Sequence, residues 1–418
     1  MRQVLDGYEQ TPHILLIGGA GNHSGVPRHL THLTEAIDPR GKVTILSDQN
    51  EGGFDAAIQK GAQHITIKGL AARRNIPRIL TAWIMLIRFL NGRDFDLIWF
   101  HARLPSLLGR LALALRIWRT ATPVAVTFHG LPFGRGRRPL ESSFSLCIEK
   151  WLLSLAPPHH LVMLNDEMAE RFVAAVSAGR TTRHAIHVLQ NCSDIGPLKH
   201  EKKPGQKHLV MTGRSGWQKD YASAVKLFAA LPPHFLLSLC GSGTQHGAFQ
   251  HKIGRRVATQ VLERIRFVGP VSDVRPYLEK ADAYLLTSRY EGVPIGAIEA
   301  FEAGLPVLLS PFEGAQDLVD KHPCAMILDI DNVASTAAKI VALLDRYERN
   351  QASYCAETRG VWRKHWSFDR FREDCCALIT KLQHPVLNQR HCDQTDLAPP
   401  RGADRRGPIQ AVEQVGDR

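Results

Sequence analysis

The sequence predicts an α/β protein with two Rossmann-like domains that face a cleft. Short apolar runs ending in Gly, His or Asn alternate with amphipathic segments of helical period, the pattern of strand–helix–strand units around a parallel sheet. The alternation is interrupted by a polar, basic stretch, LKHEKKPGQK (residues 198–207), and resumes after it. The length of 418 residues suits two cores of roughly 150–200 residues better than one.

The order of the predicted elements follows from these runs. In the first domain, residues 1–197, a helix over VPRHLTHLTEAI joins strands at HILLIGG and KVTILS, and further strands are expected at HITIKG, FDLIWFH, VAVTFHG, HLVMLN and HAIHVLQN. Residues 198–207 form the linker. The second domain, residues 208–365, has predicted strands at HLVMTGR, HFLLSLCGSG, IRFVGPV, ADAYLLTS, PVLLSP and AMILD. Residues 366–383 predict a terminal helix that packs back on the first domain, and residues 384–418 a disordered tail.

Composition narrows the class of protein. Hydrophobic residues make up 44% of the chain and charged residues 22%, as in a soluble globular protein. The eight cysteines show no C-x-x-C pair or metal-ligand spacing, so a cytoplasmic protein without a structural metal or disulfides is expected. The start MRQVLDGYEQTP has no apolar signal-peptide core, and the most apolar runs are shorter than the roughly 20 residues that a bilayer requires.

The net charge of +12 is unevenly distributed. Between Gly69 and Leu140, twelve arginines are accompanied by only two acidic residues, Asp94 and Asp96. Arginine clustered among Leu, Ile and Trp predicts an anionic membrane surface as partner, peripherally on the inner face of the plasma membrane. Solvated helix faces are the alternative. Nucleic acid is not expected, because interleaved stacking aromatics are missing from this segment.

The residues able to carry chemistry follow predicted strands, where open α/β sheets bind ligands. TGRSGWQKD places Arg214 and Lys219 in a loop ahead of a helix, which suits a diphosphate without a metal, although surface charge would also explain them. CGSG, with Gly241 and Gly243, would allow close backbone approach to a ligand or form a plain turn.

The first domain offers two further candidates. Gly25, in HSGVPRH, would let a phosphate or sugar lie against the backbone at the start of a helix. His129, in TFHG, ends a strand on the same side of the first sheet. A structural or simply exposed histidine is the alternative for His129.

Two carboxylates bracket a short loop in SRYEGVPIGAIEAFEAGLPVLLS. Glu291 follows a predicted strand, and a helix is expected to start near Pro294, since proline suits a first helical turn. The free N–H groups of that turn would face the cleft and favour an anion. Gly292, Val293 and Ile295 flank Pro294 in this segment. Glu299 lies one turn further, on the flank of the apolar face, where hydroxyl groups would be good partners for it. Together these residues predict a clamp for a sugar nucleotide.

The second half resembles the donor-binding domain of the family 4 glycosyltransferases (glycosyl transferases group 1), which have the two-domain GT-B fold. The family's signature of two glutamates separated by seven residues reads EGVPIGAIE here, and GRSGWQKD matches its phosphate loop. LQNCSD resembles its interdomain segment and SGVPRHL its glycine loop, with Ser24 and Cys192 in place of usual glycines. The resemblance extends from Pro12 to Leu382 and is strongest from His208 to Leu318.

The resemblance implies a retaining, metal-independent hexosyltransferase without a cofactor. Its donor would be a UDP- or GDP-sugar and its acceptor a saccharide or lipid-linked saccharide, in bacterial cell-envelope or exopolysaccharide synthesis. Arg214 and Lys219 would bind the diphosphate, Glu299 the ribose, Glu291 and His129 the sugar, and the backbone near Pro270 and Val271 the base. The implied catalytic residues are His129, Arg214, Lys219 and Glu291, and the implied donor-binding residues are Gly25, Arg214, Lys219, Gly241, Val271, Glu291, Gly292, Val293, Pro294, Ile295 and Glu299.

Two other classes compete with this interpretation. A non-catalytic sugar-binding or scaffold protein on the same fold would be distinguished by a test of donor hydrolysis or transfer. A nicotinamide dehydrogenase could use Gly19 and Gly21 of GGAGNHSG with Asp48 on the ribose, but Ser24 occupies the third glycine position. That class also leaves Arg214 and Lys219 unexplained.

Overall fold

Two parallel β-sheets organise the structure, a computed structural model that describes residues 11–37, 41–72, 74–199 and 205–386. Residues 200–204 of the predicted linker and 387–418 of the predicted tail lie outside the described residues. The N-terminal domain has strands β1 (His13–Ile17), β2 (Ala20–Gly21), β3 (Lys42–Ser47), β4 (Gln49–Asn50), β5 (Gln63–Thr66), β6 (Leu97–Phe100), β7 (Val124–Thr127), β8 (His160–Met163) and β9 (Ala185–Val188). Its helices are α1 (Gly25–Ile37), α2 (Asp55–Gln59), α3 (Ile76–Asn91), α4 (Arg103–Ala114), α5 (Pro139–Leu155), α6 (Asp166–Val176) and α7 (Ala178–Thr181).

The C-terminal domain repeats the alternation. Its strands are β10 (Lys207–Thr212), β11 (Phe235–Cys240), β12 (Ile265–Gly269), β13 (Ala283–Leu286), β14 (Val307–Leu309) and β15 (Ala325–Ile327). The helices are α8 (Tyr221–Ala229), α9 (Gly247–Gly254), α10 (Thr259–Leu262), α11 (Arg275–Leu278), α12 (Ile295–Glu302), α13 (Ala315–Asp320), α14 (Val333–Arg349), α15 (Gln351–His365) and α16 (Phe368–Leu382), with a 3₁₀ turn at Trp217–Lys219.

The central strands are apolar because helices cover both faces of each sheet. Ile14, Leu15, Leu16 and Ile17 of β1 are fully buried, which is the behaviour of a strand inside a parallel sheet. On one face, α3 and α4 contribute to an apolar cluster with β1 and β6. On the other face, α1 and α16 pack together in a second cluster that includes Phe371 of α16. The last helix of the described residues, α16, therefore lies against the N-terminal domain.

Strand order determines where the loops meet. The first sheet runs β5-β3-β1-β6-β7-β8-β9 and the second β12-β11-β10-β13-β14-β15, and the recorded pairings within both are parallel. In each sheet, the order in which successive strands are added therefore reverses beside the first strand of the domain. The reversal lies between β1 and β6 in the first sheet and between β10 and β13 in the second. Open α/β sheets bind ligands at the carboxyl ends of the strands at such switch points. The predicted α/β fold with two Rossmann-like domains is confirmed.

The arginine-rich segment is divided among three environments. Arg110 is buried and its Nη1 lies 2.7 Å from Glu149 Oε2. Arg137 and Arg138 lie over the rings of Tyr290 and Trp217 of the C-terminal domain. The exposed arginines of the segment within the described residues include Arg74, Arg78, Arg88, Arg93, Arg116 and Arg119. No helix in the described parts of the chain has the length and hydrophobicity needed to cross a bilayer.

Candidate active site

The carboxyl ends of the two sheets face each other, and the loops after β7 and β13 touch. A Cβ atom placed on Gly292 would lie 2.6 Å from the carbonyl oxygen of His129, so only glycine allows this approach. A Cβ on Gly25, at the start of α1, would lie 3.9 Å from Ile295 Cδ1. The contact places residues of the EGVPI loop directly against the N-terminal domain.

Glu291 is at the centre of a hydrogen-bond network at this junction. Its Oε1 accepts from Lys219 Nζ at 2.7 Å and from the Ser288 hydroxyl at 2.6 Å, while Oε2 accepts from Gln218 Nε2 at 3.1 Å. The side chains of Glu291 and Lys219 are 9% and 16% exposed. Low exposure strengthens a charge-assisted hydrogen bond of this kind. Two candidate residues from separate loops, after β10 and β13, are thereby brought together.

The two glycine loops of the C-terminal domain pack against each other. Gly213 and Gly241 have φ angles of 146° and 151°, and Gly243 has a φ of 88°. The Lys219 side chain crosses Gly213, where a Cβ would lie within 2.9 Å of Lys219 Cδ. The Gly241 N–H donates to the Gly269 carbonyl at 2.6 Å, which places the loop carrying Pro270 and Val271 beside the glycine loop. Arg214 directly follows Gly213 at the same sheet edge.

Glu299 forms an ion pair with a residue that the sequence analysis did not select. Arg28 Nη1, from α1 of the opposite domain, donates to Glu299 Oε1. The Glu299 side chain is 3% exposed and that of Arg28 33%. Burial raises the pKa of the Glu299 carboxyl, and the charge of Arg28 opposes that rise. The helix α12 begins at Ile295, so Pro294 occupies the N-cap position and not the first turn that the sequence suggested.

Two further side chains join the domains. Asn191 Nδ2 donates to the Val293 carbonyl at 2.7 Å, and its Oδ1 lies 3.0 Å from His29 Nδ1. Glu302, at the end of α12, accepts from the Ser193 hydroxyl at 2.7 Å and from the N–H groups of Ile195 and Gly196. The pKa of the Glu302 carboxyl is raised, because burial outweighs the opposite effect of these hydrogen bonds. The segment that follows β9 and crosses to the C-terminal domain is thus bound near both ends of α12. Val293 accepts a hydrogen bond from it just before the helix, and Glu302 does so at the end of the helix.

His129 belongs to a cluster of three histidines at the edge of the N-terminal sheet. Its ring centroid lies 4.8 Å from that of His29, on α1, and 5.7 Å from that of His101, which follows β6. Burial lowers the pKa of all three imidazoles, that of His29 to about 4 and those of His101 and His129 well below the ordinary value. The cluster is therefore neutral at pH 7.

A small interdomain pocket opens beside Gly292. Its wall includes Leu131, Asn165, Arg171, Glu291 and Glu313. Arg171 Nη2 pairs with Glu313, from the opposite domain. The polar lining suits a ligand that carries hydroxyl groups.

Glu291 and Lys219, the charged residues of the Glu291 network, were predicted from the sequence, whereas their partners Gln218 and Ser288 were not. Gln218 and Ser288 lie beside selected residues and could have been included on that ground. Arg28 lay within the quoted motif HSGVPRH, but no local pattern indicates that it reaches Glu299, 271 residues away. Asn191 was noted only as part of the interdomain motif, and no sequence signal distinguished Glu302 or His101.

Comparison with known proteins agrees with this architecture. The family model "Glycosyl transferases group 1" matches residues 197–358, and the model "Glycosyltransferase Family 4" matches residues 23–195. The chain is 26% identical over 381 residues to the glycogen synthase of Mycobacterium tuberculosis, covering 82% of this chain and 86% of that protein. It is also 26% identical over 295 residues to the UDP-Gal:alpha-D-GlcNAc-diphosphoundecaprenol alpha-1,3-galactosyltransferase of Escherichia coli, covering 65% of this chain and 73% of that protein.

Solved structures support the fold. Anabaena Alr3699/HepE, in a complex with UDP and glucose, superposes with a TM-score of 0.68 at 15% sequence identity, covering 88% of this chain and 99% of that chain. The GT-B arrangement of two Rossmann-like domains is confirmed by this similarity. The two family models together account for most of the chain, one on each domain. The protein belongs to the family 4 (group 1) glycosyltransferases.

Proposed function

We propose that the protein transfers a hexosyl group from a nucleotide sugar to a saccharide or lipid-linked saccharide in bacterial cell-envelope or exopolysaccharide synthesis. The observation that carries this proposal is the junction of Lys219, Glu291 and the His129–Gly292 contact at the facing sheet edges. One relative is named for transfer from UDP-Gal to a diphosphoundecaprenol-linked sugar. A cytoplasmic location, peripheral to the plasma membrane, is part of the proposal.

The diphosphate of the donor would bind at the paired glycine loops. Gly213 and Gly241 keep side chains away from this edge, and Lys219 and Arg214 supply positive charge there. The Lys219 ammonium pairs with Glu291. A bound diphosphate would compete for that ammonium and release Glu291 to accept hydroxyl groups of the transferred sugar. Arg214 and Lys219 would together stabilise the departing diphosphate, and we propose transfer without a metal at this position.

The nucleoside would lie along α12 and the β12 loop. Arg28 engages Oε1 of Glu299, and we propose that Oε2 accepts the ribose hydroxyls. The base would contact the backbone at Pro270 and Val271, beside Gly241. We favour UDP as the nucleotide because the Anabaena structure of the same fold holds UDP and glucose.

The reaction would proceed with retention of the anomeric configuration. The bond between the anomeric carbon and the phosphate oxygen breaks as the acceptor hydroxyl oxygen bonds to the same face of that carbon. The hydroxyl proton passes to the departing phosphate oxygen. His129 and Glu291 would orient the sugar, and the acceptor would enter by the pocket beside Asn165 and Glu313.

A helix of the N-terminal domain supports the proposed membrane contact. In α3, Ile76, Leu80, Ile84 and Met85 are 46–62% exposed. Other apolar side chains of the same helix point inward: Leu86 is buried, and Trp83 and Phe89 pack against the core. Exposed arginines flank the apolar stripe, so the helix combines the two features of an interfacial anchor.

Liposome flotation tests the membrane contact. Binding to anionic vesicles at low salt, and release at high salt, are expected because ions screen surface charges. Each arginine near an anionic surface contributes about 1 kcal/mol to binding. Replacing three of them by glutamate should therefore weaken vesicle binding by about 100-fold or more. The variant is Arg74→Glu, Arg78→Glu, Arg88→Glu, and its charge-matched control on the opposite domain is Arg255→Glu, Arg256→Glu, Arg266→Glu. Equal binding to neutral and anionic vesicles would contradict the proposal.

A donor panel tests the enzymatic proposal. UDP-, GDP- and ADP-sugars are screened by thermal shift, because a ligand of the folded state raises the unfolding midpoint. Transfer and donor hydrolysis are then measured for the wild type and for Arg214→Ala, with and without EDTA. Donor binding without hydrolysis or transfer would favour a non-catalytic sugar-binding protein. Strict dependence on a metal would contradict the proposed diphosphate site.

A further inference from the structure

Three histidine side chains converge at the carboxyl edge of the N-terminal sheet. His29, His101 and His129 each present one ring nitrogen, and these three nitrogens all lie within 4.8 Å of one another. They come from separate elements: α1, the loop after β6 and the loop after β7. Convergence of three imidazoles from distant parts of the chain is not a consequence of any local pattern.

Several ring nitrogens of this cluster are buried and have no partner in the described part of the chain. His29 and His101 are 1% and 2% exposed. Within the described part of the chain, no hydrogen-bond partner is found for His29 Nε2, for either ring nitrogen of His101, or for His129 Nε2. Buried polar groups are nearly always paired in folded proteins, so four such atoms in one cluster require an explanation. A bound electrophile would provide a partner for three of them, one nitrogen of each ring.

The hydrogen-bond network determines the tautomer of His29. Asn191 Nδ2 donates to the Val293 carbonyl at 2.7 Å, so the atom facing His29 Nδ1 at 3.0 Å is the amide oxygen. That oxygen can only accept, and Nδ1 of the neutral ring must therefore carry the proton. His29 Nε2 then carries a bare lone pair that is available to an electrophile. Proteins commonly orient metal-ligating histidines with such a hydrogen bond from the other ring nitrogen.

We propose that His29, His101 and His129 bind a divalent transition-metal ion, with Zn²⁺ as the preferred ion. Three neutral imidazoles are a common ligand set for zinc, and they leave a fourth position open. At Zn–N distances of about 2.0–2.1 Å, tetrahedral nitrogens are about 3.4 Å apart, so binding requires the rings to move together by about 1 Å. The nitrogen-only set disfavours Mg²⁺, which prefers oxygen ligands.

The metal would affect sugar transfer through His129. This consequence, unlike the binding itself, rests on the proposed function, in which His129 faces the sugar. An ion that holds the His129 ring inside the cluster removes it from the cleft, so Zn²⁺ would inhibit transfer. This site is formed by N-terminal elements, whereas the proposed diphosphate position, for which no metal is proposed, lies on the glycine loops of the C-terminal domain.

Spectroscopic titration of the full-length protein tests the site. Metal-stripped protein is titrated with Co²⁺, and Zn²⁺ affinity is measured by competition with a chromogenic chelator. We expect one Co²⁺ per chain with a tetrahedral visible spectrum, displaced by equimolar Zn²⁺ and unaffected by Mg²⁺. Absence of binding, or the same affinity in the histidine variants below, would overturn the proposal.

The first variant is His101→Phe, which replaces a ring that has no hydrogen-bond partner among the described residues by one of similar shape. Its Kd for Zn²⁺ should rise by about 100-fold or more, since even loss of a second-shell partner costs about 10–100-fold. His129→Gln gives the same test if that variant does not fold, and circular dichroism checks folding of both. The control is His251→Ala, an exposed histidine of the other domain, which should bind as the wild type does.

Transfer assays with added Zn²⁺ distinguish this proposal from the proposed function. Binding with inhibition that His101→Phe relieves supports both. Binding with undiminished transfer supports the metal site and contradicts the role of His129. Normal transfer without metal binding overturns the site and leaves the proposed function intact.

Discussion

Replacing Arg28 by alanine should open the cleft. Glu299 has a side chain only 3% exposed, and its ion-pair partner, Arg28, comes from the opposite domain. Removing one partner of a fully buried pair costs about 3–5 kcal/mol. Because Arg28 is one-third exposed, water screens part of the interaction, and a cost of about 2–3 kcal/mol is expected. At about 1.4 kcal/mol per tenfold change, the opening equilibrium would increase by about 30–150-fold.

The effect should depend on pH in one direction. Burial raises the pKa of Glu299 in the folded state, so the closed protein binds a proton more tightly than the unfolded chain does. The contribution of Glu299 to stability therefore falls as pH rises from the pKa of Glu299 in the unfolded chain through its pKa in the folded protein. Without Arg28 the folded pKa moves higher still, because a cation that opposes the rise is gone. The decrease in the stability of the closed state caused by Arg28→Ala should therefore be larger at pH 8 than at pH 5.5.

Amide hydrogen exchange measures this opening. Exchange over residues 291–299, which lie at the domain junction, should accelerate in Arg28→Ala and remain unchanged in a control variant, Arg88→Ala, on the exposed side of α3. In a Glu299→Gln background, Arg28→Ala should cost much less, since no buried charge remains. The same loss in both backgrounds, or no dependence on pH, would refute the proposed coupling.

Three further predictions concern the cleft. Lys219→Ala should lower kcat/KM for transfer by about 10²-fold or more, as expected for loss of a charge that stabilises the leaving group, whereas Lys226→Ala, on the exposed face of α8, should retain activity in the same assay. In calorimetry, Glu299→Ala should weaken the binding of UDP and of the UDP-sugar alike. Glu291→Ala should impair transfer but leave the affinity for UDP unchanged. Identical binding profiles for the two variants would contradict these separate roles. Glu302→Ala should destabilise the junction by about 2–4 kcal/mol in denaturant unfolding, because it leaves buried N–H groups unpaired, and Glu302→Gln should lose less, since it retains an acceptor oxygen.

The sequence was sufficient to predict the architecture because its signals are local. A strand buried on both faces requires an uninterrupted apolar run, as in HILLI, and a loop that lets backbones approach requires glycine, as at Gly213 and Gly241. The two-residue strands β2 and β4 were missed because such short segments have no periodicity. Glu291 and Lys219 were selected because each follows a strand end, and strand ends of a parallel sheet meet at one edge.

Only the tertiary structure decided which partners these residues have. Arg28 lies on an amphipathic helix, where a charge ordinarily faces solvent, and it reaches Glu299 only because the two domains close upon each other. The same holds for α3, whose period predicts an amphipathic helix but not which residues are covered: Leu86 is buried, and its neighbour Met85 is exposed. The three histidines are separated in sequence and meet because β1, β6 and β7 lie side by side and end at one edge. Local sequence determines which element a residue joins, whereas contacts between distant elements depend on topology and domain closure, for which a single sequence carries no periodic signal.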